Sequence, residues 1–161
     1  MFNFICKATS NIHCFFKKIG YKIVYRSKIK FGKHVKFRRG FKLYIDKKGK
    51  VVIGDNTFFN SYCSIVCFNK VTIGKKNLFG SYVTIYDHNH VFNKKEFNIK
   101  ELSVGEVSIG DENWIATKVN ICSNSKLGNR CVIAANINYA NKEKEDFTLY
   151  KLDSKEKINI K

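Results

Sequence analysis

The stretch IYDHNH, from Ile85 to His90, holds two of the chain's four histidines two residues apart. A neutral imidazole has an ordinary pKa of about 6.5, so His88 or His90 could take a proton from a hydroxyl group at neutral pH. Asp87 or Asp55 could orient that imidazole through its second ring nitrogen. The alternative is that both histidines are solvated residues of a polar turn. The stretch therefore suggests a general base and leaves its assignment open.

A metal site is the weaker interpretation of this pair. Zinc takes three or four protein ligands, and the other histidines, His13 and His34, lie far from the pair in the chain. The six cysteines form neither a CxxC pair nor a zinc-like spacing, so we expect no metal. A chain of this size needs no disulfide framework, and the cysteines therefore indicate a reducing compartment. They are Cys6, Cys14, Cys63, Cys67, Cys122 and Cys131.

The charge of the chain predicts an anionic partner. Its 161 residues, enough for one domain with a core, carry 30 Lys and Arg against 13 Asp and Glu, a formal net charge of +17. Nucleic acid, an anionic membrane surface and phosphorylated small molecules all fit that balance. No apolar run reaches the roughly 18 residues of a membrane span, and the first residues make a poor signal peptide. We expect a cytoplasmic protein.

Residues 2–24 form a predicted amphipathic helix, within an N-terminal segment of residues 1–28. Its apolar residues recur at steps of three and four once Thr9 is included, which is the period of one helix face. One interpretation is that this helix caps the core of the next domain. The other is that the helix lies on an anionic membrane surface. The stripe consists of Phe2, Ile5, Ile12, Phe16, Ile19 and Ile23.

A period of six replaces the helical period after this segment. Aliphatic or aromatic anchors recur every six residues, many of them followed by glycine, and a small or β-branched residue precedes each by two. Residues two apart share one face of a strand, so each hexad predicts a short strand with two inward side chains, followed by a turn that the glycine's conformational freedom allows. The hexads include IGDNTF, FNSYCS, IGKKNL, FGSYVT, IGDENW, IATKVN, ICSNSK, LGNRCV and IAANIN.

Three such strands close one triangular coil, and stacked coils make an all-β solenoid. The step from Ile109 to Leu127 is 18 residues, but that from Ile53 to Ile73 is 20, with two residues inserted near Phe68–Asn69. The repeat fails between Ile85 and Ile109. There we predict a long polar loop over residues 87–106, and long loops in regular solenoids are usually functional.

The hexads resemble the left-handed parallel β-helix of the hexapeptide-repeat acyltransferases. The run VSIGDENWIATKVNI is similar to a segment of the sugar O-acetyltransferase branch, which includes maltose, capsule and polysialic acid O-acetyltransferases, and IYDHNH falls where that family carries its catalytic histidine. The resemblance spans roughly residues 30–140 and implies a domain over residues 29–140. It implies a homotrimer with active sites between subunits, acetyl coenzyme A as donor and a sugar hydroxyl as acceptor, in capsule, lipopolysaccharide or glycan biosynthesis.

The same resemblance assigns roles to residues. His88 becomes the general base, with His90 as its rival. Asn60 is either an acceptor contact or a stacked ladder asparagine, and Trp114 lines the donor and acceptor channel or packs in the trimer interface. The implied acceptor contacts are Asn60, Tyr86, Asp87, His90 and Trp114. The implied donor contacts are Trp114, Ala116, Thr117, Ala134, Ala135 and Lys142.

The tail over residues 141–161 departs from the family pattern, because its Gly-Asn-Pro-Ala turn is absent. Lys142, Lys144, Lys151 or Lys155 could still meet the donor's phosphates. The alternative function is a catalytically inactive β-helix that binds or assembles through its basic surface. The run YKIVYRSKIKFGKHVKFRRGF interleaves aromatic and basic residues as single-strand nucleic-acid binders do. It also continues the hexad register, so we expect no nucleic-acid partner.

Overall fold

Apolar side chains at alternate positions give each hexad a short strand with one buried face, and the observed strands follow that pattern. The structure, a computed structural model, describes residues 2–92, 97–140, 143–152 and 154–157, with the backbone alone for 2–11, 92, 97–100, 154 and 156–157. In β4 and β12 the burial alternates strictly, with Val51 and Ile53, and Val107 and Ile109, pointing inward. The predicted six-residue register is confirmed.

The strands stack in parallel into the three faces of a prism, five coils high, that matches a left-handed parallel β-helix. Face 1 contains β1 (Ile29–Phe31), β4 (Lys50–Ile53), β7 (Lys70–Ile73), β12 (Glu106–Ile109) and β15 (Lys126–Leu127). Face 2 contains β2 (Lys36–Phe37), β5 (Phe58–Phe59), β8 (Leu78–Phe79), β13 (Trp114–Ile115) and β16 (Val132–Ile133). Face 3 contains β3 (Lys42–Ile45), β6 (Ser64–Cys67), β9 (Thr84–Tyr86), β14 (Asn120–Ile121) and β17 (Asn138–Tyr139).

The corner turns depend on a position that the hexads did not single out. The third residue after the anchor has a positive φ at corner after corner, as at Asn56 (φ 57°) and Tyr62 (φ 62°). The glycine that follows the anchor has another role. A Cβ at Gly54 would lie 2.5 Å from the carbonyl carbon of Gly74, and one at Gly74 would lie 2.5 Å from the carbonyl oxygen of Gly110. Stacked coils thus approach too closely there for a side chain, which corrects the expectation that these glycines supply unusual φ angles.

The helix α1 (Phe2–Tyr25) covers the first coil and continues through Gly20. It covers the coil with the face that carries Cys14, Tyr21 and Tyr25, so α1 does cap the core, but through the face opposite its apolar stripe. Lys17 Nζ and Tyr21 Oη donate to the carbonyl of Phe41 at 2.9 and 3.2 Å, and Tyr25 Oη donates to that of Leu43 at 3.0 Å. The first coil has no coil below it, so its edge carbonyls need donors, and lysine and tyrosine supply them.

Two segments depart from the coils. The predicted loop over 87–106 contains an antiparallel hairpin of β10 (His88–Phe92) and β11 (Phe97–Val104). In the tail, β18 (Thr148–Lys151) extends face 2 by pairing in parallel with β16. The last strand, β19 (Ser154–Lys157), pairs antiparallel with β18. Within the described ranges, no helix has both the length and the hydropathy needed to cross a bilayer.

Candidate active site

The insertion at Phe68–Asn69 forms a pocket of backbone N–H groups at the corner between faces 3 and 1. The carboxylate of Asp87, which is fully buried, accepts the N–H groups of Phe68 (2.8 and 3.1 Å), Asn69 (2.8 Å) and Lys70 (2.9 Å). Consecutive N–H groups that converge on one point form an anion-binding concavity. The irregular coil therefore holds a carboxylate directly below the start of the hairpin.

Asp87 also fixes the two ends of the hairpin through its main chain. Its carbonyl accepts the N–H of Gly105 at 2.6 Å and the hydroxyl of Ser123 at 2.8 Å. The side-chain amide of Asn69 donates to the carbonyl of Gly105 at 3.1 Å. The hairpin therefore leaves and rejoins the prism at a rigid point.

His88 sits on this support. Its Nδ1 lies 3.4 Å from Asp87 Oδ1, slightly beyond the usual range of roughly 2.7–3.2 Å for an N–H···O hydrogen bond. The side chain of His88 is 12% exposed. The ring of Phe68 packs against the imidazole with centroids 4.3 Å apart. A carboxylate only accepts, so it favours the proton on Nδ1 and leaves Nε2 as the acceptor that a general base needs.

A buried thiol lies beside this carboxylate. Burial first, and then the negative charge and hydrogen bonding of Asp87, raise the pKa of Cys67 to about 12. Burial likewise raises the pKa of Cys63 to about 11. Both side chains are fully buried, so they are core residues that stay protonated at neutral pH. Among the residues that the structure describes, no group of three His, Cys, Asp or Glu side chains could hold a metal ion.

The other predicted residues near His88 differ in accessibility. Tyr86 is exposed, with its ring centroid 6.0 Å from that of His88. His90 is exposed on β10, opposite Leu102 of β11. Asp87 has no exposed surface, which corrects its prediction as an acceptor contact and favours it as the orienting group. The rival orienter, Asp55, instead accepts the N–H of Lys33 at the corner between faces 1 and 2, at 2.7 Å.

A second cluster lies at the corner between faces 2 and 3. Asn60 Oδ1 accepts from Arg38 Nη1 at 3.3 Å and from the N–H of Ser61 at 2.9 Å. Trp114 is 54% exposed on face 2, with Ala116 immediately after its strand. Thr117, Ala134 and Ala135 continue this corner in the fourth and fifth coils. Lys142 lies outside the described residues.

Face 3 separates the two clusters within one chain. Asn60 precedes a strand of this face and His88 follows one. A strand of four residues such as β6 spans roughly 13 Å. The chain therefore brings Tyr86, Asp87, His88 and His90 together but leaves Asn60 and Trp114 at another corner.

Several solved structures share this architecture. A hexapeptide-repeat acetyltransferase of Vibrio cholerae O1 biovar eltor, complexed with acetyl coenzyme A, matches with a TM-score of 0.67 at 24% identity, over 82% of this chain and 71% of its own. A maltose O-acetyltransferase of Clostridium difficile 630 matches with a TM-score of 0.63 at 21% identity, over 86% of this chain and 75% of its own. A galactoside acetyltransferase in complex with coenzyme A matches with a TM-score of 0.60 at 21% identity, over 75% of this chain and 60% of its own. Comparison with protein-family models and with curated protein sequences finds no match.

The chain shares the left-handed parallel β-helix fold of these acetyltransferases. In this chain, the tail and the last coil together enclose a cavity of about 380 Å³. Tyr139 and Tyr150 form part of its wall, with ring centroids 4.9 Å apart, and Lys151 and Lys155 contribute basic groups. Lys155 also forms an ion pair with Glu145. The cavity offers aromatic surface and positive charge at the C-terminal end of the fold.

Sequence reasoning missed Phe68 and Asn69 as parts of the site. Their signal was present, because the step from Ile53 to Ile73 exceeds the regular coil by two residues. That insertion falls one coil before IYDHNH, and the N–H groups it frees from the regular pattern bind Asp87. An irregular coil next to a broken repeat is the sequence pattern that could have identified them.

Proposed function

We propose that this protein is an acetyl coenzyme A-dependent O-acetyltransferase that acetylates a sugar hydroxyl, with His88 as general base. The observation that carries the proposal is the support of His88 by a buried carboxylate, which leaves Nε2 directed away from Asp87. The proteins that share the fold support it, since their names give acetyltransferase activity on maltose or galactosides and two of their structures contain acetyl coenzyme A or coenzyme A.

The reaction follows from this arrangement. His88 Nε2 takes the proton of the acceptor hydroxyl as its oxygen attacks the thioester carbonyl. The C–S bond of the tetrahedral intermediate then breaks, and the imidazolium returns the proton to the departing sulfur. The products are an acetyl ester and free coenzyme A thiol. Asp87 stabilises the imidazolium and keeps the ring oriented.

The active site combines two chains in this proposal. Asn60 and Trp114 are separated from His88 by the width of face 3, so one chain alone offers an incomplete site. A homotrimer supplies the missing cluster, because the corner between faces 2 and 3 of one subunit can lie against the His88 corner of its neighbour. Ala116, Thr117, Ala134 and Ala135 then border the channel with side chains small enough for the pantetheine arm.

The donor's nucleotide end is proposed to occupy the cavity formed by the tail. Lys151 and Lys155 provide charge for phosphates there, in place of the turn that the family pattern contains. We assign the protein to the cytoplasm, where acetyl coenzyme A is available, and to capsule, lipopolysaccharide or glycan biosynthesis.

The test is thioester consumption by His88→Ala, His90→Ala and His34→Ala proteins with a panel of sugars. His34 is exposed on the first coil and serves as the matched control. We expect His88→Ala to lose roughly 100- to 10,000-fold in kcat while the other two retain activity. Activity that survives in His88→Ala and falls in His90→Ala would transfer the role of base to His90.

The alternative is a catalytically inactive β-helix that binds through its basic surface. The observation that favours it is the tail, which lacks the family's donor turn. Calorimetry separates the two functions, because the proposed enzyme binds acetyl coenzyme A and the inactive protein does not.

A further inference from the structure

The outward face of α1 carries a stripe of large apolar side chains. Ile12, Phe16, Ile19 and Ile23 are 57%, 66%, 40% and 69% exposed, and Phe15 and Val24 extend the patch. Soluble monomers rarely expose so many large apolar side chains together, and such patches mark interaction surfaces. Phe15 and Phe16 pack edge to face within this patch, with ring centroids 5.7 Å apart.

The stripe faces outward because the opposite face is occupied. Successive helical residues are about 100° apart, which places Ile12, Ile19 and Ile23 on one side of α1 and Tyr21 and Tyr25 on the other. The tyrosine side covers the first coil together with buried Cys14. The helix could not turn its apolar face inward without removing the donors from the first coil's edge carbonyls.

The end of the molecule that carries this stripe is strongly basic. Residues 1–45 contain 12 Lys and Arg and no Asp or Glu, so this segment accounts for +12 of the net charge of +17. Lys22 and Arg26 are exposed on α1 and the turn that follows it, and Lys30 is exposed on β1. An apolar helix face beside concentrated positive charge is the pattern of helices that lie in the interface of an anionic bilayer.

We propose that the outward face of α1 docks onto an anionic lipid bilayer. The apolar stripe enters the boundary between headgroups and acyl chains, and the basic residues around it meet lipid phosphates. Charge complementarity selects this occupant. A second copy seated on the stripe would bring two acid-free ends together, and like charges repel. A nucleic acid would leave Ile12, Phe16 and Ile23 without an apolar partner.

The test is flotation of the full chain with vesicles of phosphatidylcholine and phosphatidylglycerol in a three-to-one ratio, beside vesicles of phosphatidylcholine alone. We expect wild-type protein to float with the anionic vesicles, to float much less with the neutral ones, and to be released by high salt. Phe16→Glu/Ile23→Glu should reduce binding at least 100-fold, because each lost apolar anchor costs tenfold or more. The matched control is Val52→Glu/Leu152→Glu, which makes the same charge change on exposed side chains away from α1.

A second variant tests the charge. Lys22→Ala/Arg26→Ala should weaken binding about 30-fold, roughly fivefold for each basic residue, whereas Lys118→Ala/Lys126→Ala should not. Equal binding by wild-type and Phe16→Glu/Ile23→Glu proteins would overturn the proposal, as would a wild-type protein that binds neither vesicle. A fall in oligomer mass on light scattering in the Phe16→Glu/Ile23→Glu protein would also overturn it, because the stripe would then be a contact between copies.

Discussion

Replacement of Asp87 by Asn separates orientation of the imidazole from the presence of a base. The amide can keep an oxygen at the Oδ2 position, which retains the N–H groups of Asn69 and Lys70 at 2.8 and 2.9 Å. The reverse orientation loses both bonds. The NH₂ group therefore faces the N–H of Phe68 and the Nδ1 of His88. It donates to Nδ1, so the imidazole proton moves to Nε2 and the base is lost.

Two magnitudes follow from this geometry. General base catalysis contributes roughly 100- to 10,000-fold, so we expect kcat to fall about a thousandfold with a smaller change in KM. The loss of one hydrogen bond to a charged acceptor should lower the free energy of unfolding by about 2 kcal/mol.

The assay measures release of coenzyme A thiol with an aromatic disulfide, and unfolding in urea. Asp111→Asn is the matched control, because Asp111 accepts the N–H of Lys75 at 2.9 Å at a corner remote from His88. It should lose stability and keep its kcat. An Asp87→Asn enzyme with kcat within about threefold of wild type would refute the orienting role.

Three further predictions concern other parts of the molecule. Arg38→Ala should lower kcat/KM about fivefold for sugars that carry a carboxylate or phosphate and leave neutral sugars unchanged, because Arg38 contacts Asn60. Lys151→Ala/Lys155→Ala should raise the Kd of coenzyme A about tenfold in calorimetry and that of pantetheine very little. The raised pKa values of Cys63 and Cys67 mean that the unfolded chain loses these protons first, so stability falls as pH rises above about 9. At about pH 10 each thiol lowers the free energy of unfolding by about 1.4 kcal/mol. Between neutral pH and about pH 10, Cys63→Ala/Cys67→Ala should therefore lose about 3 kcal/mol less of this free energy than wild type, as measured by unfolding in urea.

Each of these has an outcome that would contradict it. An equal loss of kcat/KM with neutral and anionic sugars would mean that Arg38 does not recognise the charge of the acceptor. Equal effects on coenzyme A and pantetheine would place the donor's phosphates outside the tail cavity. An identical pH dependence with and without the two thiols would mean that they ionise as easily in the folded chain as in the unfolded one.

The coil register was predictable because it depends on local alternation. Ile53 and Val51 point inward in any stack of strands, whatever lies above or below them. The role of Gly54 was not predictable in this way. A glycine that avoids a clash with the next coil and a glycine that adopts a positive φ look identical in a sequence, and only the distance to Gly74 separates them.

The orientation of α1 shows a second limit. The apolar period correctly predicted a helix over residues 2–24, but it did not determine which face packs. That choice depends on the edge carbonyls of the first coil, whose need for donors outweighs burial of Ile19 and Ile23. The hairpin over β10 and β11 escaped prediction for a related reason, since its residues pair with each other and follow no six-residue period.

The contact between α1 and the first coil also affects whether copies of the protein can associate end to end. A solenoid of parallel strands ends in an open strand edge, which can template addition of another chain. Such head-to-tail contacts do not close and so build fibres. By occupying the carbonyls of Phe41 and Leu43, the tyrosines of α1 block that growth at one end. A chain cut before residue 26 should therefore expose these carbonyls and form larger assemblies, a change that light scattering would measure.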